Sequence, residues 1–503
     1  MIRYLLKEDR LGGIAVALLA AAFFVASWPI WLNNTWFFDD YWACGLVESE
    51  GLAGTLHDYW TFMGLYRLVT VPYYALTGPL CDLPVLVKAI GLGLHVASGF
   101  ALYALGRRRW GWGRAAALVS TAILVLNPLA FEAISWAAAI KHFPLALLLV
   151  IIGLDRLLAQ PARIGTATLL FTGAVMALEQ VILLVVVVPF VVIGTSFRQR
   201  LIGAAKVASP AVIYLLLVRL TGGLTTNPRL SGDEVPSPFN VFGNLGWAAE
   251  QLPPMLPGGV TWNGFLGDLW LRSTWLALFL VIGAAGMVIV SGRGDDMALQ
   301  RSQLRLVGLS AVGLFLVVLP LLFPAQSWAT PRIWYLPHAA LALGAGALIE
   351  AMTGLGRRAG EVLALVTVVW AAWVLGGVSR EARLYVENFR LEVSMAEEIA
   401  VSLDDGEQLL LLNPPWTFVP GAAIVGEHIA PAFATDWTSL GALRVLTTVE
   451  PSWVTVARDR SLVCRDPQGV LFYGEMPLPA STEVFDAANR QTLEPDSLLI
   501  VSC

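Results

Sequence analysis

Charge is what this sequence has least of. Only 14% of its 503 residues are Asp, Glu, Lys or Arg, while 57% are hydrophobic and the mean hydropathy is +0.69. Soluble domains carry roughly 25% charged residues, so a soluble globular protein is excluded and a polytopic membrane protein is predicted. A basic excess is missing as well: the formal net charge is -5, which leaves no patch for phosphate backbones and excludes sequence-specific nucleic-acid binding. Cysteine is also scarce, and the four residues Cys44, Cys81, Cys464 and Cys503 stand too far apart for zinc-ligand spacing.

Long apolar runs take the place of charge. A helix needs roughly 17 to 25 such residues to cross a bilayer, and runs near 12–33, 84–106, 115–131, 142–158, 164–178, 180–196, 201–220, 271–291, 303–323, 334–352 and 360–379 predict about eleven spans. Only Glu179 and Gln180 separate the fifth run from the sixth, so one long helix with a polar centre is the alternative there. Arg3, Lys7 and Arg10 give the N-terminus the charge layout of a signal peptide. The run that follows, Gly12 to Leu32, exceeds the roughly 7 to 15 residues of a signal-peptide core and reads as an uncleaved span.

Arginine distribution orients these spans, because cytoplasmic loops carry the excess of Lys and Arg. With the N-terminus inside, the inner loops hold Arg107, Arg108, Arg109, Arg114, Arg156, Arg163, Arg198, Arg200, Arg293, Arg301, Arg305, Arg357 and Arg358. Arg67, Lys141, Arg229 and Arg332 stand nearly alone in the alternate loops. The expected protein is an integral membrane protein, of a bacterial inner membrane, with its C-terminus outside.

Past the last span the composition changes. Charges recur at helical spacing from Ser379 to about Gln408, which predicts an amphipathic connecting helix. Short β-like runs follow at Leu409 to Leu412, Trp453 to Ala457, Gly469 to Gly474 and Ser497 to Val501. The chain thus divides into a membrane unit, 1–380, with an outer loop at 34–83, and a small extracytoplasmic α/β domain at 381–503. Each outer region holds one cysteine pair, Cys44 with Cys81 and Cys464 with Cys503, and an oxidising compartment permits a disulfide in each.

The outer loops hold the polar residues that could carry chemistry. Asp39 and Asp40 lie among five aromatic rings in Trp36-Phe37-Phe38-Asp39-Asp40-Tyr41-Trp42, directly after the first span. Two readings fit equally: carboxylates kept at the bilayer surface for function, or a side chain that caps a short helix beginning near Tyr41. Glu132, Lys141 and His142 gather at the mouth of two spans, where a plain interfacial ion pair between Glu132 and Lys141 is the alternative to a site. Glu179 sits in a turn between apolar runs and reads first as an ordinary hydrophilic turn, with a functional carboxylate as the alternative. Arg332 enters a late span, where it is either a bidentate phosphate ligand or a snorkelling anchor. The other acidic pair, Asp295-Asp296, falls in a cytoplasmic Gly-Arg-Gly-Asp-Asp loop and reads as a solvated connector.

These residues together carry a resemblance. An acidic pair after the first span, Tyr66-Arg67-Leu68-Val69 in the same loop, the Pro-x-x-x-Glu-x-x-x-Trp pattern from Pro128 to Trp136, the Glu179-Gln180 turn and the Arg-x-x-Tyr-Leu-Pro segment from Arg332 to Pro337 resemble the GT-C glycosyltransferases. The likeness runs over about residues 1–380 and is nearest to the protein O-mannosyltransferase-like and TMTC-like branch. Its departures are the missing Pro after Arg67, a Leu where Lys often precedes Glu179, and no TPR array after the membrane part.

The resemblance implies a GT-C-like bundle that transfers a sugar from a polyprenyl-phosphate donor to a hydroxyl acceptor on the outer face, with inversion. It implies Asp39 as general base, with Asp40 orienting the acceptor or holding a divalent cation such as Mg or Mn. Arg332, assisted by Lys141 or His142, would hold the donor phosphate. Glu132, Glu179, Tyr66, Arg67 and Tyr335 would support them. Adjacent carboxylates do not suit glycoside hydrolysis, which places two of them about 5 to 9.5 Å apart across the scissile bond. The competing reading is a transporter or flippase of lipid-linked sugars. Such proteins keep ionisable groups at the membrane midplane, whereas Lys88, Asp155 and Lys206 lie near span ends here. A third reading is a membrane scaffold that presents the C-terminal domain.

Overall fold

The computed structural model describes residues 9–33, 36, 38–127, 130–159, 161–193, 196–226, 297–318, 331–353, 362, 366, 382–414, 432–457, 463–465, 470–473, 476–479, 481–493 and 501–502. It is mostly helical. Among the described residues five helices are long and apolar enough to cross a membrane: Arg10–Trp31, Pro84–Arg109, Ala137–Leu157, Phe197–Thr221 and Tyr335–Thr353. The expected spans at 271–291 and, almost entirely, 360–379 lie outside the described residues.

Helix α1 (Arg10–Trp31) shows how the bundle is tied at one end. Asp9 caps it, its carboxylate accepting from Gly12 N at 3.3 Å. The same carboxylate receives Tyr103 Oη at 2.8 Å, Arg107 Nε at 2.9 Å and Arg114 Nε at 2.8 Å. Asp9 is buried, and a buried carboxylate needs such donors to be tolerated. One side chain thereby joins α1 to the end of α4 (Pro84–Arg109) and the start of α5 (Arg114–Val125). Arg109 closes a second link to Asp155 at 2.7 Å.

Helix α2 (Phe38–Met63) occupies much of the loop at 34–83, broken at Gly51, whose φ of 72° suits glycine. It begins at Phe38, three residues before the expected start. Helix α3 (Thr70–Thr77) completes that loop, and a disulfide joins Cys44 to Cys81. The run expected as one span at 115–131 is divided: α5 ends at Val125 and α6 (Ala130–Ser135) follows. The cause is Pro128, which disfavours helix in the residue before it. Short α7 (Ala137–Ile140) then leads into α8 (Phe143–Leu157). Where α4 passes α6, a Cβ on Gly91 would stand 1.9 Å from the Ile134 carbonyl oxygen, so this close approach needs glycine.

The apolar runs around Glu179 form two helices, α9 (Ile164–Ala177) and α10 (Ile182–Val192), joined by a single 3-10 turn at Glu179–Val181. Helix α11 (Phe197–Thr221) packs along both. Helices α12 (Met297–Val318) and α13 (Tyr335–Thr353) pack on each other, and α13 also lies against α5.

Helix α14, residues 382–400, buries Tyr385, Phe389, Met395 and Ile399. Beyond it, β1 (Gln408–Leu412) is the centre of a sheet in which β2 (Trp453–Ala457) and β6 (Thr482–Asp486) flank it in parallel and β7 (Gln491–Leu493) pairs antiparallel with β6. A smaller sheet holds β3 (Val463–Arg465), β4 (Leu471–Tyr473), β5 (Met476–Pro477) and β8 (Val501–Ser502). Helix α15 (Asp436–Leu446) precedes β2 and packs on α2. Trp36, Tyr41 and Cys44 of the first loop share one apolar core with Met395, Phe433 and Leu443. Cys464 is disulfide-bonded; its expected partner Cys503 lies outside the described residues.

Candidate active site

Asp40 is buried, and both its oxygens are engaged across the chain. Oδ2 accepts the Ala137 N–H and Oδ1 the Ala138 N–H, each at 2.8 Å. It therefore caps α7, almost one hundred residues away, rather than the helix in which it sits. Tyr41, Tyr73 and Lys88 all lie within electrostatic reach of this carboxylate. Asp39 stands on the first turn of α2, and its side chain is outside the described set, as are those of Glu132 on α6 and Ile333.

Tyr66, Arg67 and Glu179 form one assembly. The guanidinium grips the carboxylate in bidentate fashion, Nη2 to Oε1 at 2.7 Å and Nε to Oε2 at 3.1 Å, while Tyr66 Oη donates to Oε1 at 2.8 Å. Burial pushes the Glu179 carboxyl up, but the adjacent guanidinium and its hydrogen bonds win and hold it at about 2. Arg67 stays protonated for the reciprocal reason. Its backbone is unusual for a residue with a side chain: φ is 50°, in the left-handed region that L residues rarely occupy. Tyr214 on α11 clamps the turn, its hydroxyl donating to Leu65 O at 2.8 Å and accepting from Leu68 N at 3.3 Å.

Lys141 and His142 link α7 to α8. Lys141 is buried, donates to Ala138 O at 2.9 Å and to Tyr74 Oη at 3.3 Å, and lies 4.4 Å from the Tyr74 ring centroid. Tyr74 in turn stacks on Tyr59 at 4.2 Å, and Trp42 meets Tyr59 edge-on at 5.4 Å. His142 contacts Ala177 O through Nδ1 at 2.7 Å. A carbonyl only accepts, so Nδ1 carries the hydrogen and Nε2 presents a lone pair in the neutral ring. Arg67, Lys141 and Arg332 all bring positive charge within reach of His142. Arg332, in the 3-10 turn Pro331–Trp334 that packs on α6, lies with its guanidinium carbon 3.9 Å from the Trp136 ring centroid. A cation over an indole face is favoured by the ring quadrupole. Tyr335 points instead to the bundle interior, its hydroxyl 2.7 Å from His95 Nδ1. His95 Nε2 donates to Val125 O at 3.0 Å, which leaves Nδ1 to accept the Tyr335 hydrogen.

No family model and no curated protein matches this chain. Solved structures similar to it at low identity include these two. One is an oligosaccharyltransferase of Archaeoglobus fulgidus in complex with zinc and sulfate, 12% identical over 93% of this chain and 73% of that one, with a TM-score of 0.43. The other is ArnT from Cupriavidus metallidurans in the apo state, 17% identical over 87% of this chain and 88% of that one, with a TM-score of 0.35.

The structure thus brings Arg67, Glu179 and Tyr66 together, sets Lys141, His142 and Arg332 beside them, and directs Tyr335 elsewhere. It also adds residues that sequence reasoning missed. Tyr214 lies inside an apolar helix and carried no signal. Trp136 was visible only as the end of a motif, and Tyr59 and Tyr74 as members of a Tyr-rich loop. Among the described residues no three His, Cys, Asp or Glu side chains gather as metal ligands, and the side chains of Asp39 and Glu132 lie outside that set.

Proposed function

We propose that this protein is a membrane glycosyltransferase of the GT-C type that moves a sugar from a polyprenyl-phosphate donor to a hydroxyl on a protein, glycan or lipid at the extracytoplasmic face. The observation that carries the proposal is that one short stretch, Trp136 to Lys141, gathers the pieces: Arg332 stacks on Trp136 at 3.9 Å, Asp40 accepts the N–H groups of Ala137 and Ala138 at 2.8 Å, and Lys141 donates to Ala138 O at 2.9 Å. Cations gathered at the mouth of apolar helices suit an anionic headgroup whose tail stays in lipid.

In this reading Asp39 takes the proton of the acceptor hydroxyl as its oxygen attacks the anomeric carbon. The bond from that carbon to the phosphate oxygen breaks, and polyprenyl phosphate leaves with the electron pair. Phosphate is already a good leaving group, so stabilising its charge, the role given to Arg332 with Lys141, matters more than protonating it. A single displacement inverts the anomeric centre. Asp40 supports Asp39 by fixing α2 to α7, and Glu179 holds Arg67 in place.

The test is transfer by purified protein from a polyprenyl-phosphate sugar to a hydroxyl acceptor, read as released polyprenyl phosphate. Asp39→Asn is expected to abolish release while the protein stays folded. Full activity of that variant sinks the base assignment, and a product of retained configuration sinks the single displacement.

A further inference from the structure

The helix that carries Asp39 and Asp40 is held from two sides. On one side Asp40 receives the N–H groups of Ala137 and Ala138 at 2.8 Å. On the other, α15 of the C-terminal region crosses α2 with glycine facing glycine. A Cβ on Gly441 would stand 2.4 Å from Tyr41 O and 2.6 Å from Trp42 Cα, and one on Gly45 would stand 3.0 Å from Gly441 Cα. Main chain therefore meets main chain within two residues of the acidic pair. Arg444, further along α15, donates to Ser49 Oγ at 3.2 Å. Trp36, Tyr41 and Cys44 add a common apolar core with Phe433 and Leu443.

A contact between side chains absorbs small shifts by changing rotamers. A contact between two backbones has no rotamer to change, so α2 follows α15. We propose that the C-terminal domain is a positioning part of the site, and that Gly441 is the positioning residue that sets where the Asp39–Asp40 turn stands relative to α7 and the Arg332 segment. This rests on the reading of Asp39 as the base. Gly441 acts through α2 and touches no substrate.

The experiment pairs kinetics with amide hydrogen exchange of the full-length protein. In Gly441→Ala the added methyl group must push the Tyr41 carbonyl away. The expected result is a kcat lowered about 10- to 100-fold, as for a misplaced reacting group, with the donor KM within about twofold because the phosphate ligands lie on other elements. Exchange across residues 41–46 is expected to quicken about tenfold as local opening becomes easier. Should Gly441→Ala fail to fold, Arg444→Ala adds no bulk and carries the test, with exchange quickened about threefold, the worth of one modest hydrogen bond. Unchanged exchange at 41–46 overturns the proposal, and so does quickened exchange with unchanged kcat. Full activity of Asp39→Asn strikes the base assignment instead, and is told apart by its own variant.

Discussion

Glu392 offers a quantitative test of the joint between α14 and the C-terminal region. It is 1% exposed, and its Oε1 accepts the Ala432 N–H at 2.7 Å and Asn388 Nδ2 at 2.9 Å, while Oε2 has no hydrogen-bond partner. Tyr41 of α2 lies within its electrostatic reach. Burial pushes the carboxyl from 4.5 up to about 8, with the Ala432 and Asn388 hydrogen bonds pulling the other way. The folded protein therefore keeps a proton that the unfolded chain releases. A raised carboxyl pKa means that stability falls as pH rises from 4.5 to about 8 and is level above that.

The slope is about 1.4 kcal/mol per pH unit, so some 2.5 units of that window lie below pH 7 and the wild type has lost about 3 kcal/mol there. Glu392→Gln is neutral at every pH, keeps an oxygen for Ala432 and Asn388, and puts its amide nitrogen where no bond is lost. Denaturant unfolding of the two purified proteins, followed by fluorescence of the 19 tryptophans at pH 5, 6, 7, 8 and 9, gives the comparison. The variant is expected to gain on the wild type from pH 5 to 8, reaching about 3 kcal/mol at pH 7, with no further gain at pH 9. A stability difference that does not change with pH would refute the reasoning, because Glu392 would then be ionised in both states.

Other expectations follow from the site and its supports. Glu179→Gln leaves the Arg67 guanidinium without its carboxylate, and in the transfer assay it should cost about 10- to 100-fold, in line with loss of a charged hydrogen-bonded pair worth roughly 1.5 to 3 kcal/mol; activity within twofold of wild type argues against an organising role. Because the Glu179 carboxyl is held at about 2, the pair is lost only as pH falls toward that value. An acid limb of the rate profile near pH 4 to 6 must then come from another group, and should survive in Glu179→Gln. Arg332→Ala is expected to raise the donor KM with a smaller effect on the acceptor, and an unchanged donor KM removes its phosphate role. Cys44→Ser frees the loop of 37 residues closed by the disulfide and should lower stability by about 2 to 4 kcal/mol, read by the same denaturant unfolding.

What the sequence made legible was the succession of apolar helices. Apolar runs predict helices because a bilayer admits little else, and the breaks at Glu179 and Pro128 appear where a carboxylate and a ring interrupt them. What it hid was pairing. Arg67 and Glu179 are separated by 112 residues, and each alone looks like an ordinary polar loop residue. Asp40 was weighed as the cap of its own helix, whereas its partners lie on α7, a capping contact that no local spacing reveals. Glu392 sat among regularly spaced charges of a predicted amphipathic helix, with nothing to mark it as the one turned into a core. Gly441 and Gly45 were two glycines among 46, and only the crossing of α2 with α15 gives them meaning.

The shared core of the first loop has a consequence in time. Tyr41 leaves the ribosome about 400 residues before Gly441, which at 5 to 20 residues per second is roughly 20 to 80 s. For that interval Trp36 and Tyr41 have no Phe433 or Leu443 to cover them. The Cys44–Cys81 disulfide spans 37 residues of that early loop alone. It needs nothing later than Cys81 to close, and so can hold α2 in shape until the last part of the chain arrives to seat on it.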